Sequence, residues 1–350
     1  MHRIGIAICV LITGLSGSLS HAIEPVNPNL IPEARTVLDY LVSVEGKATL
    51  AGVSGRKNAE AIKEVSGKYP AVLALDLSGW NSPPWGDSYN GVVQNSVHRA
   101  KAWWQEGGIV AMQLHWIHPS NPNGSAWRGK HGRKEATGPF DFSAALKPGT
   151  ETNRELMRDL KGHADFLQQL TDARVPVLWR PFHEIDGGWF WWTDGERPEN
   201  TAALWRLMFD YFVKERKLNN LIWVYNAGLK PPKGRDVAQV EVRKRFYPGD
   251  EYVDISGIDI YPNSWYGWKD YREDTYAKAY QIMKQVSPNK IMALAEGAGI
   301  PDPDMLAKDG PPWIYCLPWW GPGEKHPAEW IKHTYNHEFV ITRDELPQWK

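Results

Sequence analysis

The chain has 350 residues, with 40 lysines and arginines against 41 aspartates and glutamates and a formal net charge of −1. That balance offers no long-range attraction for a polyanion, so nucleic acid and acidic membrane surfaces are not expected partners. Cysteine occurs twice, at Cys9 and Cys316, whereas tryptophan occurs 19 times.

The chain starts Met1-His2-Arg3, continues apolar over 4–15 and then turns to small and polar residues ending Ser20-His21-Ala22. A charged start, a short apolar core and a small-residue end predict a signal peptide over 1–22, and with it a secreted protein, extracellular or periplasmic. The core is too short to span a bilayer, and no later stretch approaches the roughly 20 apolar residues of a membrane helix. No Ser-, Pro- or Gly-rich linker divides residues 23–350. A single catalytic domain acting as a monomer, with no appended carbohydrate-binding module, is therefore expected. With Cys9 in the leader, no internal disulfide is possible. Cys316, set in Trp313-Ile314-Tyr315-Cys316-Leu317, reads as a small buried hydrophobe.

Eight short β-rich runs follow, at 48–54, 71–77, 109–115, 176–182, 221–226, 254–261, 291–296 and 313–318. Amphipathic stretches at 93–104, 153–170, 201–214, 275–285 and 327–336 predict helices between them. Strand and helix alternating in this way predict βαβ units and a parallel sheet, and eight units close into a (β/α)8 TIM barrel. The runs are almost continuously apolar, as befits strands buried on both faces. An open doubly wound sheet is the competing topology. The stretch 116–152 is the longest without periodicity, and its run Arg128-Gly129-Lys130-His131-Gly132-Arg133-Lys134 reads as a solvated loop or a basic binding patch.

A barrel gathers its working side chains at the carboxyl ends of its strands. His115, the segment from Arg180 to Glu184, Asn226, Tyr261, Glu296 and Trp319 all fall where an apolar run stops. Among them Glu184 and Glu296, after the fourth and seventh runs, form the pair that breaks a glycosidic bond, one protonated and one ionised. Aromatic neighbours suit Glu184 to the acid role by raising its pKa. Small neighbours, Ala295 and Gly297, let a sugar approach Glu296 as nucleophile, with Tyr261 available to hydrogen-bond it. Trp189, Trp191 and Trp192 lie beside Glu184 in sequence and offer flat faces for sugar rings. Arg180 and His183 balance the charge of the site, or Arg180 is an ion-pair partner inside the barrel. His115, His118 and His183 are either metal ligands or hydrogen-bonding groups; no compact ligand spacing is present, so neither metal nor cofactor is expected.

The segment Arg180-Pro181-Phe182-His183-Glu184-Ile185-Asp186-Gly187-Gly188-Trp189-Phe190-Trp191-Trp192 resembles the acid/base motif of glycoside hydrolase family 26, which is best known for β-mannanases. Leu114-His115-Trp116 and the ending Tyr335-Asn336-His337-Glu338-Phe339-Val340-Ile341-Thr342 extend the resemblance over most of the chain. The resemblance implies that Glu184 is the general acid/base, Glu296 the nucleophile, and His183 the residue that orients the acid. It further implies that Trp189 floors the cleft and that Tyr261 holds the nucleophile. His115 and Trp116 would line the donor side, and Trp319 or Trp320 would lie under the reacting ring. Asp186 departs from the Asn that many members carry in this turn, which leaves the local hydrogen bonding open. The implied activity is retaining endo-β-1,4-mannanase on mannan, glucomannan or galactomannan. A mannobiose-releasing exo-enzyme, a β-1,3-xylanase, a mixed-linkage β-glucanase, a non-catalytic carbohydrate-binding barrel and a metal-dependent hydrolase are the alternatives.

Overall fold

A computed structural model describes residues 23–78, 86–121, 123–129, 137–228, 240–262 and 268–349. The predicted leader, 1–22, and residues 130–134 of the basic run lie outside them.

The elements run in order α1 (Pro32–Val44), β1 (Thr49–Ser54), α2 (Arg56–Ser66), β2 (Val72–Asp76), α3 (Asp87–Gln105), β3 (Ile109–Gln113), α4 (Phe142–Ala145), α5 (Glu151–Asp172), β4 (Val177–Arg180) and α6 (Pro198–Phe209). They continue with β5 (Leu221–Gly228), α7 (Val240–Lys244), β6 (Ile255–Ile260), α8 (Ala277–Val286), β7 (Ile291–Gly297), α9 (Pro303–Asp309), β8 (Tyr315–Pro318), α10 (Ala328–Tyr335) and β9 (Val340–Ile341). Strands β1 to β8 pair in parallel, each with the next, and β8 returns to β1, so the predicted eight-stranded barrel is the observed fold.

Every residue of β3, β5, β6 and β7 is buried, because one face fills the barrel and the other meets the helices. The helices supply the outer layer from an apolar stripe. In α5 that stripe is Leu156, Leu160, Ala164 and Leu167, at the spacing of helical turns. Its first turn is capped by Thr150, whose hydroxyl accepts the Asn153 N–H at 3.1 Å. Closure needs a close approach at Gly52, where a Cβ would lie 3.0 Å from Leu317 Cγ and 3.2 Å from the Cys316 carbonyl. Cys316 is buried there, its thiol pushed up to about 12 by burial, so it behaves as the small hydrophobe expected.

Three features differ from the sequence expectation. Helices α1, α2, α4, α7 and α9 were not anticipated, and the helix expected over 201–214 changes to a π turn at Asp210–Glu215 after α6. The ninth strand, β9, lies outside the barrel and pairs in parallel with the start of β1, Thr49 opposite Val340.

Candidate active site

Glu296 is delivered by regular strand geometry. It stands next to last in β7, opposite Asp259 of β6, after a register shift between Ile258 and Asp259. Two buried acids side by side require a cation, and Arg180, the last residue of β4, provides it. Its Nη2 donates to Glu296 Oε2 at 2.6 Å and to Gln113, while Nη1 donates to both Asp259 oxygens at 2.8 and 3.0 Å and to Asn226 Oδ1 at 2.9 Å. Burial opposes the Arg180 charge, yet the carboxylates of Asp259 and Glu296 hold its pKa above the ordinary guanidinium value. The two readings left open for Arg180 thus merge: it is an ion-pair partner within the barrel, and one of its partners is Glu296. Tyr261 OH donates to Glu296 Oε1 at 2.6 Å. Burial, reinforced by the Glu296 charge, raises the Tyr261 pKa well above its ordinary value and keeps it a donor. Both oxygens of Glu296 therefore accept hydrogen bonds.

Glu184 is placed by a turn. The chain leaves β4 at Arg180 and bends so sharply that Phe182 and Glu184 adopt φ of +49° and +51°, a left-handed conformation that side chains other than glycine seldom take. Each such residue costs on the order of 1–3 kcal/mol and needs support from its surroundings. Asn226 gives it, its Oδ1 accepting the Glu184 N–H at 3.0 Å and its carbonyl the Ile185 N–H at 3.1 Å. The Trp192 indole N–H reaches the His183 carbonyl at 3.2 Å, and Thr193 Oγ1 reaches the Ile185 carbonyl at 2.9 Å. Asp186, the departure noted in the sequence, accepts the Gly228 N–H at 2.9 Å and pairs with buried Arg243, so its carboxylate is fully employed. Gly228 keeps the contact close, since a Cβ would meet Glu184 Cβ at 3.0 Å and Trp189 Cζ2 at 3.1 Å and push on both.

The side chain of Glu184 accepts the Trp189 indole N–H. Burial, then the charges of Asp259 and Glu296, push its pKa well above the ordinary carboxyl value, against the smaller pull of Trp189 and Arg180. Two carboxyls in one cleft thus have opposed settings: Glu184 is held where the proton is favoured, and Glu296 accepts from a guanidinium and a phenol.

His183 and His115 meet edge to face, with Nε2 atoms 3.1 Å apart, and His115 Nδ1 contacts the Asp76 carboxylate. Burial above all holds the His183 pKa well below the ordinary imidazole value. His118 lies instead against Phe140 and Trp191, its Nδ1 accepting the Ser120 N–H at 3.2 Å. Among the described residues, Asp302, Asp304 and His333 are one group with metal-ligand spacing; none of them lines the cleft, and Asp302 is occupied in capping α9.

The cleft has a volume of about 840 Å³, within the range of small-ligand sites. His115, His183, Glu184, Trp189, Tyr261, Glu296, Trp319 and Trp320 line it, so both tryptophans between which the sequence could not choose face the same space. Two expectations are corrected. Trp116 does not line the cleft; it is 2% exposed, its indole N–H bonded to Asp159 at 3.0 Å and its ring packed against Trp191 and Phe182. Trp191 and Trp192 are fully buried, Trp191 bonded to the Trp116 carbonyl and Trp192 to the His183 carbonyl of the turn, leaving Trp189 as the member of that cluster with a face toward the cleft. Sequence reasoning also missed Asp259, Gln113 and Asp76, and the lining residues Trp127, Phe190, Tyr271 and Lys325. Asp259 and Asp76 each sit at or near a strand's carboxyl end, the signal that identified the others.

A family model described as glycosyl hydrolase family 26 matches residues 26–345. A mannan endo-1,4-β-mannosidase of Thermothelomyces thermophilus is 34% identical over 334 residues, covering 93% of this chain and 63% of that protein. One from Bacillus subtilis is 29% identical, covering 77% and 75%. The chain spans 63%, 54% and 50% of the length of the Thermothelomyces protein and two Piromyces relatives. Among solved structures, a β-mannanase from a symbiotic protist of the termite Reticulitermes speratus, complexed with gluco-manno-oligosaccharide, superposes with a TM-score of 0.78 at 33% identity, over 92% of this chain and 97% of that one.

Proposed function

Because the chain belongs to glycosyl hydrolase family 26, we propose that it is a retaining endo-β-1,4-mannanase, cutting internal bonds of mannan, glucomannan or galactomannan. The observation that carries this reading is the opposed setting of Glu184 and Glu296 in one cleft walled by Trp189, Trp319 and Trp320. The names of the relatives, mannan endo-1,4-β-mannosidases at up to 34% identity, support the substrate.

In the first step a Glu296 oxygen forms a bond to the anomeric carbon. The bond from that carbon to the leaving oxygen breaks, and the proton of Glu184 moves to the departing oxygen. Tyr261 and Arg180 hold the Glu296 carboxylate in place for the attack. In the second step Glu184, now ionised, takes a proton from water; the water oxygen bonds to the same carbon and Glu296 departs. Two inversions give net retention.

The Glu184 proton transfer sets the alkaline limit: activity falls as pH rises through the elevated Glu184 pKa. Time-resolved NMR of mannohexaose cleavage tests the reading: mixed-length products with the β-anomer formed first are expected, whereas mannobiose alone means exo action and an initial α-anomer means inversion. Turnover of β-1,3-xylan or lichenan in place of mannan overturns the substrate. Glu296→Ala is expected to abolish turnover while retaining oligosaccharide binding. The leader-like start at 1–22 supports export, checked by finding residue 23 at the N-terminus of the secreted protein.

A further inference from the structure

The turn that carries Glu184 is gripped from two sides, and only one grip is made by the polar groups of its neighbour β5. Asn226 of β5 holds the backbone at Glu184 and Ile185. On the other side, between the two left-handed residues Phe182 and Glu184, stands His183, 2% exposed and without a backbone strand to fix it. Its carbonyl accepts the Trp192 indole N–H and its ring packs against Phe190 and Trp192, while the polar contact of the ring is with His115, the Nε2 atoms 3.1 Å apart. His115 is held in turn at the end of β2, where Asp76 Oδ1 accepts its backbone N–H at 3.1 Å and Oδ2 meets its Nδ1. The chain Asp76, His115, His183 thus runs from a rigid strand end to the residue next to Glu184.

Proton placement along this chain has a direction. The Asp76 carboxylate can only accept, so His115 presents Nδ1–H to it, and in the neutral ring Nε2 is then an acceptor. His183 must therefore donate Nε2–H to His115, and its Nδ1 is a bare lone pair. Among the described residues His183 Nδ1 meets no hydrogen-bond partner. The opposite placement would bury an unpaired N–H there, which is the rarer and costlier orphan. The low His183 pKa agrees with a ring that stays neutral.

We infer that Asp76 is a positioning residue for Glu184: through His115 it fixes the tautomer and ring of His183, and that brace holds the turn in the geometry that aims the acid. This rests on Glu184 being the general acid/base. The test compares kcat/KM on mannohexaose, whose leaving group needs a proton, with kcat/KM on 2,4-dinitrophenyl β-mannobioside, whose leaving group does not. For Asp76→Asn a loss of about 10- to 100-fold on mannohexaose is expected, with less than about 3-fold on the aryl substrate. An equal loss on both substrates, or no loss on either, overturns the inference. Glu184→Ala measured on the same pair separates the two claims. If it also lacks leaving-group dependence, the acid/base reading fails; if it shows the dependence and Asp76→Asn does not, the positioning role alone fails. A measurement on the unmutated enzyme stands even if the variant does not fold: imidazole ¹⁵N shifts, assigned with His183→Gln, are expected to show neutral His183 protonated at Nε2. Protonation at Nδ1 or at both nitrogens overturns the brace.

Discussion

Glu296 stands inside β7, paired to β6 and β8 and with its oxygens bonded to Arg180 of β4 and to Tyr261 just past β6, whereas Glu184 stands beyond Arg180, the last residue of its strand, on a turn with two left-handed residues. The barrel's own ladder positions the first. Side chains from β2, from β5, from His115 just past β3 and from the segment after the turn surround the second. Glu296 is placed by its strand and Glu184 by a turn that neighbouring side chains hold. Substitutions around Glu296 should therefore act through charge and stability, and those around Glu184 through geometry and turnover.

The harshest way to break that contrast is Arg180→Met, which leaves Asp259 and Glu296 facing each other without their shared cation. Loss of about 3–5 kcal/mol in urea unfolding is expected, together with loss of turnover. Adding Asp259→Leu should return most of the stability and none of the activity; a nearly neutral single variant would show that the cation is not what holds the two acids. Asn226→Ala tests the brace instead. It removes the acceptor of the Glu184 N–H and one partner each of Arg180 and Asp259, so about 1–3 kcal/mol of stability and about 10- to 100-fold in kcat are expected to go.

Gly228→Ala sharpens the contrast, since the new methyl would press on Glu184 and Trp189 with no partner lost. About 10-fold lower kcat with almost unchanged thermal stability is expected, as a shift of a few tenths of an ångström suffices to misaim a proton. The smallest effect is a gain. The native pKa of Glu184 is raised, so the folded state keeps a proton that the unfolded state has lost, and stability declines as pH climbs from the ordinary value of 4.5 through the raised one. Glu184→Gln should relieve this by about 1 kcal/mol near pH 8 and by little near pH 4, read from thermal melts at the two values.

The barrel was legible because strands buried on both faces read as unbroken apolar runs, and all eight were found in place. Glu184 and Glu296 were legible because each follows such a run. Asp259 was hidden inside one: Ile-Ser-Gly-Ile-Asp-Ile reads simply as strand until Arg180 is seen to reach it from β4. Asp76 was available by the rule that found His115 and passed over because a lone carboxylate at a strand end has no evident partner in sequence. The tryptophans show the opposite limit. Trp116, Trp189, Trp191 and Trp192 have the same residue chemistry, and only packing decides that Trp189 faces the cleft while the others are core. Helix α1 carried a readable stripe, Ala34, Val37, Leu38, Leu41 and Val44, at helical spacing.

Strand β9 lies beside Thr49 and Leu50, and β8 pairs with Leu50 and Ala51, so β1, an early strand in the chain, takes partners from its far end. A chain emerging from a ribosome can assemble βαβ units as it appears, but the ring stays open until β8, ending at Pro318, is free to pair with β1. Unpaired edges on β1 must survive that interval, which makes barrel closure a late event with high loop-closure entropy and ties efficient folding to protection of the first strand.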